Sequence, residues 1–280
     1  MSEERYPILS AIAVRAIAVA ALASALCAPA APRPATPSAE RLGWSTWWCP
    51  PGAWKARVDL KLDEIRKGPG RYDIVFVGDS ITQNWEGWCT EAQRENLRTN
   101  VAAGRISLEC AHISPMKAWL RLTARHRALN LGISGDRTQD ILWRLTVGGQ
   151  LAGYKARYFC VLAGTNNVDP PEDTAAGVRE IVALIRSSHP ESTVLLMPIL
   201  PRGPGRNAPA RLRNEAVNGM IAACANGRDV VWLDIRDRLL ERDGTLSRET
   251  MPDLLHPSER GYDIWLAALE PYLSGEVSVR

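Results

Sequence analysis

The chain predicts an α/β domain built on a parallel sheet of five strands with helices over both faces. Three observations predict it. Five short apolar runs recur along the chain, segments with helical spacing separate them, and the runs are continuous rather than alternating, as strands buried on both faces require. In order, VDLKLDEIRKG reads as a first helix and YDIVFV at 72–77 as the first strand, ending at Gly78. ALNLG supplies the second strand, TQDILWRL a helix, and YFCVLAG the third strand. TAAGVREIVALIRSSH is the next helix, followed by the strand TVLLMPIL, the helix ARLRNEAVNGMIAACANG and the strand DVVWLDI. SERGYDIWLAALEPYL closes the domain as a helix. No internal repeat is evident.

Composition sets the class. A chain of 280 residues with 46% hydrophobic and 23% charged residues is that of an ordinary globular protein, and residues 44–275 suffice for one domain with a full core. The 34 basic and 31 acidic side chains leave a net charge of +3 without a long basic run, so no nucleic-acid partner is expected. Residues 1–30 differ from the rest: Arg15 precedes AIAVAALASALC, and a Pro/Ala-rich linker follows at 31–43. The pattern favours a secretory signal, hence a periplasmic or secreted protein. Glu3 and Glu4 fit the alternative, an Ala-rich amphipathic N-terminus of a cytoplasmic protein. The apolar run is shorter than the roughly twenty residues a membrane span needs, so no integral membrane segment is expected in the mature chain. Leu26 before Cys27 is a poor fit to a lipoprotein cleavage site. The six cysteines form no C-x-x-C pair, which argues against a zinc ribbon or a thioredoxin-like motif. Cys160, inside an apolar run, is the candidate for a buried free thiol. A Cys89–Cys110 bridge is one open pairing.

Four segments carry the chemistry: GDSIT at 78–82, GISGD at 132–136, GTNN at 164–167 and DLLH at 253–256. In an open parallel sheet, functional residues gather beyond the carboxyl ends of the strands, and the first three segments each follow a strand. Ser80 is the candidate nucleophile; its hydroxyl needs a positioned base. His256 is that base, and Asp253, three residues earlier, can hold Nδ1 so that Nε2 faces the serine. His112, His126 and His189 lack a carboxylate at this spacing within a placed motif, and His189 reads as a dipole partner at a helix end. Gly78 is expected to let the chain bend sharply out of the strand. Three donors are available for an oxyanion: the Ser80 and Gly135 backbone N–H groups and the Asn166 amide. Asp136 and Gln139 are spaced like a capping pair for the helix that follows. Each segment has a bland reading of its own, as an N-cap, a turn glycine or a surface histidine. Their order and placement make one site.

These blocks resemble those of the SGNH, or GDSL-type, serine hydrolases. ALNLGISGDRTQDILWRL, GTNN, LPRG and DLLHPSERGY are most similar to the platelet-activating-factor acetylhydrolase-like branch, and the resemblance covers roughly residues 44–275. It implies a flavodoxin-like three-layer α/β/α sandwich, a serine esterase mechanism without metal or cofactor, and activity on small acyl groups, often acetyl. One departure is an insertion at about 86–125, which reads as a cap over the acyl pocket, as an extra helical hairpin on the rim, or as a surface excursion.

Ten tryptophans stand against two phenylalanines. Trp44, Trp47, Trp48, Trp54, Trp85 and Trp88 cluster near the domain start or after Ser80, either as core and rim packing or as sugar-stacking faces. Trp143 reads as core. Arg202 and Arg206, in the RGPGR loop, are either solvated or face an anionic substrate group. The expected activity is therefore hydrolysis of a small-molecule or carbohydrate acyl ester, carbohydrate O-deacetylation included, with oligomeric state open. The rival is a non-catalytic carbohydrate-binding protein on the same fold. Phosphate-ester or nucleotide chemistry lacks a G-x-x-x-x-G-K-[ST] loop and an evident metal cluster.

Overall fold

The computed structural model describes residues 35–40, 49, 51–87, 99, 102–103 and 115–277. The signal-like segment, Cys27, Cys89, Cys110, His112, Trp44, Trp47, Trp48, Trp88 and most of the 86–125 insertion lie outside the described residues.

The described chain opens with α1 (Pro51–Lys67), β1 (Arg71–Gly78) and α2 (Ser80–Glu86), then α3 (Lys117–Thr123), β2 (Ala128–Asn130) and α4 (Thr138–Leu145). It continues through β3 (Lys155–Leu162), α5 (Pro171–Ser188), β4 (Thr193–Leu196), α6 (Pro209–Ile221), β5 (Val230–Trp232), the short α7 (Arg236–Leu239) and α8 (Glu259–Leu273). All pairings are parallel, and the sheet order is β2-β1-β3-β4-β5, the flavodoxin-like arrangement.

Period-two alternation divides the core. Val75 and Val77 of β1, with Phe159 and Val161 of β3, join the apolar sides of α4, α5 and α6. Ile74 and Phe76, with Tyr158, Cys160 and Leu162, pack on the other face against α2, α3 and α8. Trp85 and Trp265 are fully buried there, their rings 4.8 Å apart. Cys160 is a buried free thiol, and burial pushes it up to about 12. No helix among the described residues is long and apolar enough to cross a membrane.

Four strands, β2 to β5, end earlier than the apolar runs predict, β4 and β5 by the most. Past Leu196 the Met197 N–H still donates to the Val161 carbonyl at 2.9 Å, but Asn218 of α6 takes over Ile199: its Oδ1 accepts from the Ile199 N–H at 2.7 Å and its Nδ2 donates to the Ile199 carbonyl at 3.0 Å. A side-chain amide thus replaces a neighbouring strand. β5 likewise covers only the middle of DVVWLDI. Conversely, α1 starts at Pro51, well before the predicted helix, because proline suits a first helical turn.

Register sets the site edge. Val77 aligns with Val161, Gly78 with Leu162 and Phe76 with Asn130, so the segments carrying Ser80, Gly135 and Asn166 all leave the sheet at its carboxyl edge.

Candidate active site

Asp79 caps α2, its carboxylate accepting from the Ile81 N–H at 3.0 Å, and Ser80 is the first helical residue. Gly78 has a different role from the sharp bend the sequence suggests. Its φ is not positive, and a Cβ there would lie 2.5 Å from the Leu162 carbonyl oxygen, so glycine serves close packing of β1 on β3.

The Ser80 hydroxyl donates to His256 Nε2 at 2.9 Å, and His256 Nδ1 donates to Asp253 Oδ2 at 2.7 Å. The other carboxylate oxygen, Oδ1, accepts from the backbone N–H of Leu255 at 3.0 Å and of His256 at 2.7 Å. One side chain therefore folds the turn with one oxygen and grips the imidazole with the other. Leu254, between them, has a φ of 62°, uncommon for a leucine. The Gly203 N–H holds it by donating to the Leu254 carbonyl at 2.9 Å.

Burial works to raise the Asp253 pKa, but the hydrogen bond and charge of His256 and the two backbone donors outweigh it, leaving the carboxyl well below its usual range. Asp79 shifts the other way. Burial raises it to about 7, only partly offset by the Ile81 N–H and by His256, and its Oδ2 has no hydrogen-bond partner.

Among the candidate oxyanion donors, Gly135 adopts a φ of 75°, natural for glycine. Asn166 Nδ2 donates to the Asp136 carbonyl oxygen at 3.0 Å. The Asp136 side chain is not part of a capping pair with Gln139. It accepts from Trp54 Nε1 at 2.8 Å and from Arg144 Nε at 2.6 Å, while Asp140 caps α4 by accepting from the Arg137 N–H at 2.9 Å. Arg144 extends the network to Gln150 and to the Gly78 carbonyl. Sequence reasoning missed Trp54, Arg57, Lys61 and Arg144 as parts of this framework.

Trp54 and Trp85 are buried, 4% and 0% exposed, and present no sugar-stacking face. Arg202 donates to the Thr165 carbonyl at 2.9 Å, beside Asn166, whereas Arg206 is exposed and reads as solvated. His189 is no charged dipole partner: burial lowers its pKa, its ring packs on Tyr154 and Phe159, and Nε2 bonds the Leu151 carbonyl.

The family model for the GDSL-like lipase/acylhydrolase family matches residues 76–264, a span that contains all four motif blocks. The chain belongs to this family. As a GDSL-like acylhydrolase it is an ester hydrolase. Platelet-activating factor acetylhydrolase IB subunit alpha1 of Homo sapiens is 36% identical over 203 residues, covering 72% of this chain and 75% of the relative. Subunit alpha2 of Rattus norvegicus is 31% identical over 192 residues, covering 68% and 71%. Among solved structures, a GDSL-like lipase from Bacteroides thetaiotaomicron superposes with a TM-score of 0.54 at 18% identity, covering 79% of this chain and 99% of the other, a likeness of fold.

Proposed function

We propose that this GDSL-like acylhydrolase cleaves short-chain esters, acetyl esters first among them, through Ser80, His256 and Asp253. The observation that carries the reading is the continuous relay from the Ser80 hydroxyl through His256 to Asp253, at 2.9 and 2.7 Å. In this mechanism His256 Nε2 takes the Ser80 proton as Oγ attacks the ester carbonyl, and Asp253 stabilises the imidazolium. The carbonyl oxygen becomes an oxyanion that accepts from the Ser80 and Gly135 N–H groups and from Asn166. Collapse breaks the bond to the alcohol oxygen, which leaves with the proton from His256. Water, deprotonated by the same imidazole, then hydrolyses the acyl-enzyme.

The acetyl preference is supported by the names of the acetylhydrolase relatives at 36% and 31% identity. Burial of Trp54 and Trp85 removes two aromatic faces from any sugar subsite, so we favour a small acyl ester over a polysaccharide. A panel of p-nitrophenyl acetate, butyrate and octanoate, acetylated monosaccharides and acetylated xylan tests this. Acetate esters should turn over fastest, and Ser80→Ala should abolish turnover. Asn166→Ala should lower kcat about a hundredfold or more. Undiminished hydrolysis by Ser80→Ala would sink the proposal.

A further inference from the structure

The matched family span begins at residue 76, whereas α1 ends at Lys67, so α1 lies wholly outside it. Yet this helix reaches the active-site loops. It buries Trp54, Arg57, Val58, Lys61 and Ile65 on one side, and Trp54 and Val58 pack on Ile133 of the GISGD loop. Arg57 Nε donates to the Gly132 carbonyl at 2.7 Å and its Nη2 to Glu86 at 2.9 Å, while Lys61 donates to Glu86 at 2.6 Å. Glu86 closes α2, the helix that Ser80 opens. One helix therefore ties the nucleophile segment and the oxyanion loop to a common frame.

Trp54 contacts Asp136, the residue that follows Gly135. Its Nε1–H fixes Asp136 Oδ1, Arg144 fixes Oδ2, and the carbonyl of the same Asp136 receives one hydrogen of the Asn166 amide. A primary amide carries two N–H bonds in one plane. Committing one of them to a fixed carbonyl sets where the other points.

We propose that Trp54 is a positioning residue for catalysis: through Asp136 it aims the free N–H of Asn166 at the developing oxyanion. The inference rests on the Ser80 esterase reading above. A donor misdirected by a fraction of an ångström keeps substrate binding but loses transition-state stabilisation, because a preorganised donor acts on charge that appears only during reaction.

The test is a double-mutant cycle on p-nitrophenyl acetate hydrolysis by the full chain. Trp54→Phe, which keeps an aromatic ring but removes the N–H, should lower kcat about tenfold and change KM less than about twofold. In an Asn166→Ala background the same change should cost less than about twofold, because the group it aims is gone. A fully multiplicative double variant, or a Trp54→Phe effect confined to KM or to melting temperature, overturns the proposal. If Trp54→Phe does not fold, 3-benzothienylalanine at position 54 replaces the N–H by sulfur at nearly constant shape and must give the same cycle. Undiminished hydrolysis by Ser80→Ala contradicts the esterase reading itself, whereas Ser80-dependent turnover with a multiplicative cycle contradicts the role of Trp54 alone.

Discussion

The two halves of the candidate active site are held in opposite ways. On the nucleophile and oxyanion side, Asp136 and Arg144 form a fully buried ion pair, with Arg57 and Lys61 equally buried against Glu86. On the acid–base side, Asp253 and His256 sit on a turn with side chains 24% and 17% exposed, held largely by that turn's own backbone donors. Buried charges are rigid because moving either partner uncovers an unpaired ion. A self-capped turn can adjust, as the proposed mechanism asks of an imidazole that meets first a hydroxyl, then a leaving group and then water. The proposed donors are built for fixity and the proposed base for adjustment.

The sharpest break in this comparison is Asp253→Asn. It should lower kcat by about a thousandfold or more, because Nδ1 loses the acceptor that fixes the tautomer. Thermal unfolding should show only a modest change in stability. Asp136→Ala should instead cost about 3–5 kcal/mol in denaturant unfolding, because Arg144 is left buried without its counter-ion. If the two substitutions destabilise the protein equally, the division into a fixed and an adjustable half fails.

Asp79 refines the picture through pH. Its value is about 7 in the folded protein against the usual 3.8, so between these pH values the unfolded chain has given up a proton that the native state keeps. The stability Asp79 contributes is full below about pH 3.8 and is lost as pH rises to about 7. Asp79→Asn keeps an acceptor for the Ile81 N–H, so its advantage over wild type in urea unfolding should grow from pH 4 to 7 and then level off. Asp253 has the opposite sign: its depressed carboxyl stabilises the fold above the ordinary carboxylate range, and that contribution is lost on acidification. The smallest effect is expected at Leu254. Leu254→Gly relieves the positive φ but gives the unfolded chain more freedom, so stability should change by less than about 1 kcal/mol.

Much of the site was legible because the blocks obey local rules. The five apolar runs mark strands buried on both faces, and Ser80, Gly135 and Asn166 each follow a strand whose register the sheet then aligns. Asp253 and His256 were legible from spacing alone, since three residues is the reach of one turn. The bracing was not. Nothing in the sequence singles out Arg57, Lys61 or Arg144, and nothing local to residue 136 signals a partner 82 positions away at Trp54. One trace was present: Trp54, Val58, Lys61 and Ile65 share one helical stripe, so Lys61, and Arg57 beside it, fall on the apolar side of α1. The strand ends were also hidden, because Asn218 of α6 takes the backbone bonds of Ile199 from afar.

The claim that one serine hydroxyl, activated by His256, carries the reaction is met most directly by mass spectrometry after treatment with a fluorophosphonate. The account predicts a single adduct on the peptide containing Ser80, absent in Ser80→Ala and formed far more slowly in His256→Ala. An active protein that acquires no adduct, or acquires it at another residue, would contradict it.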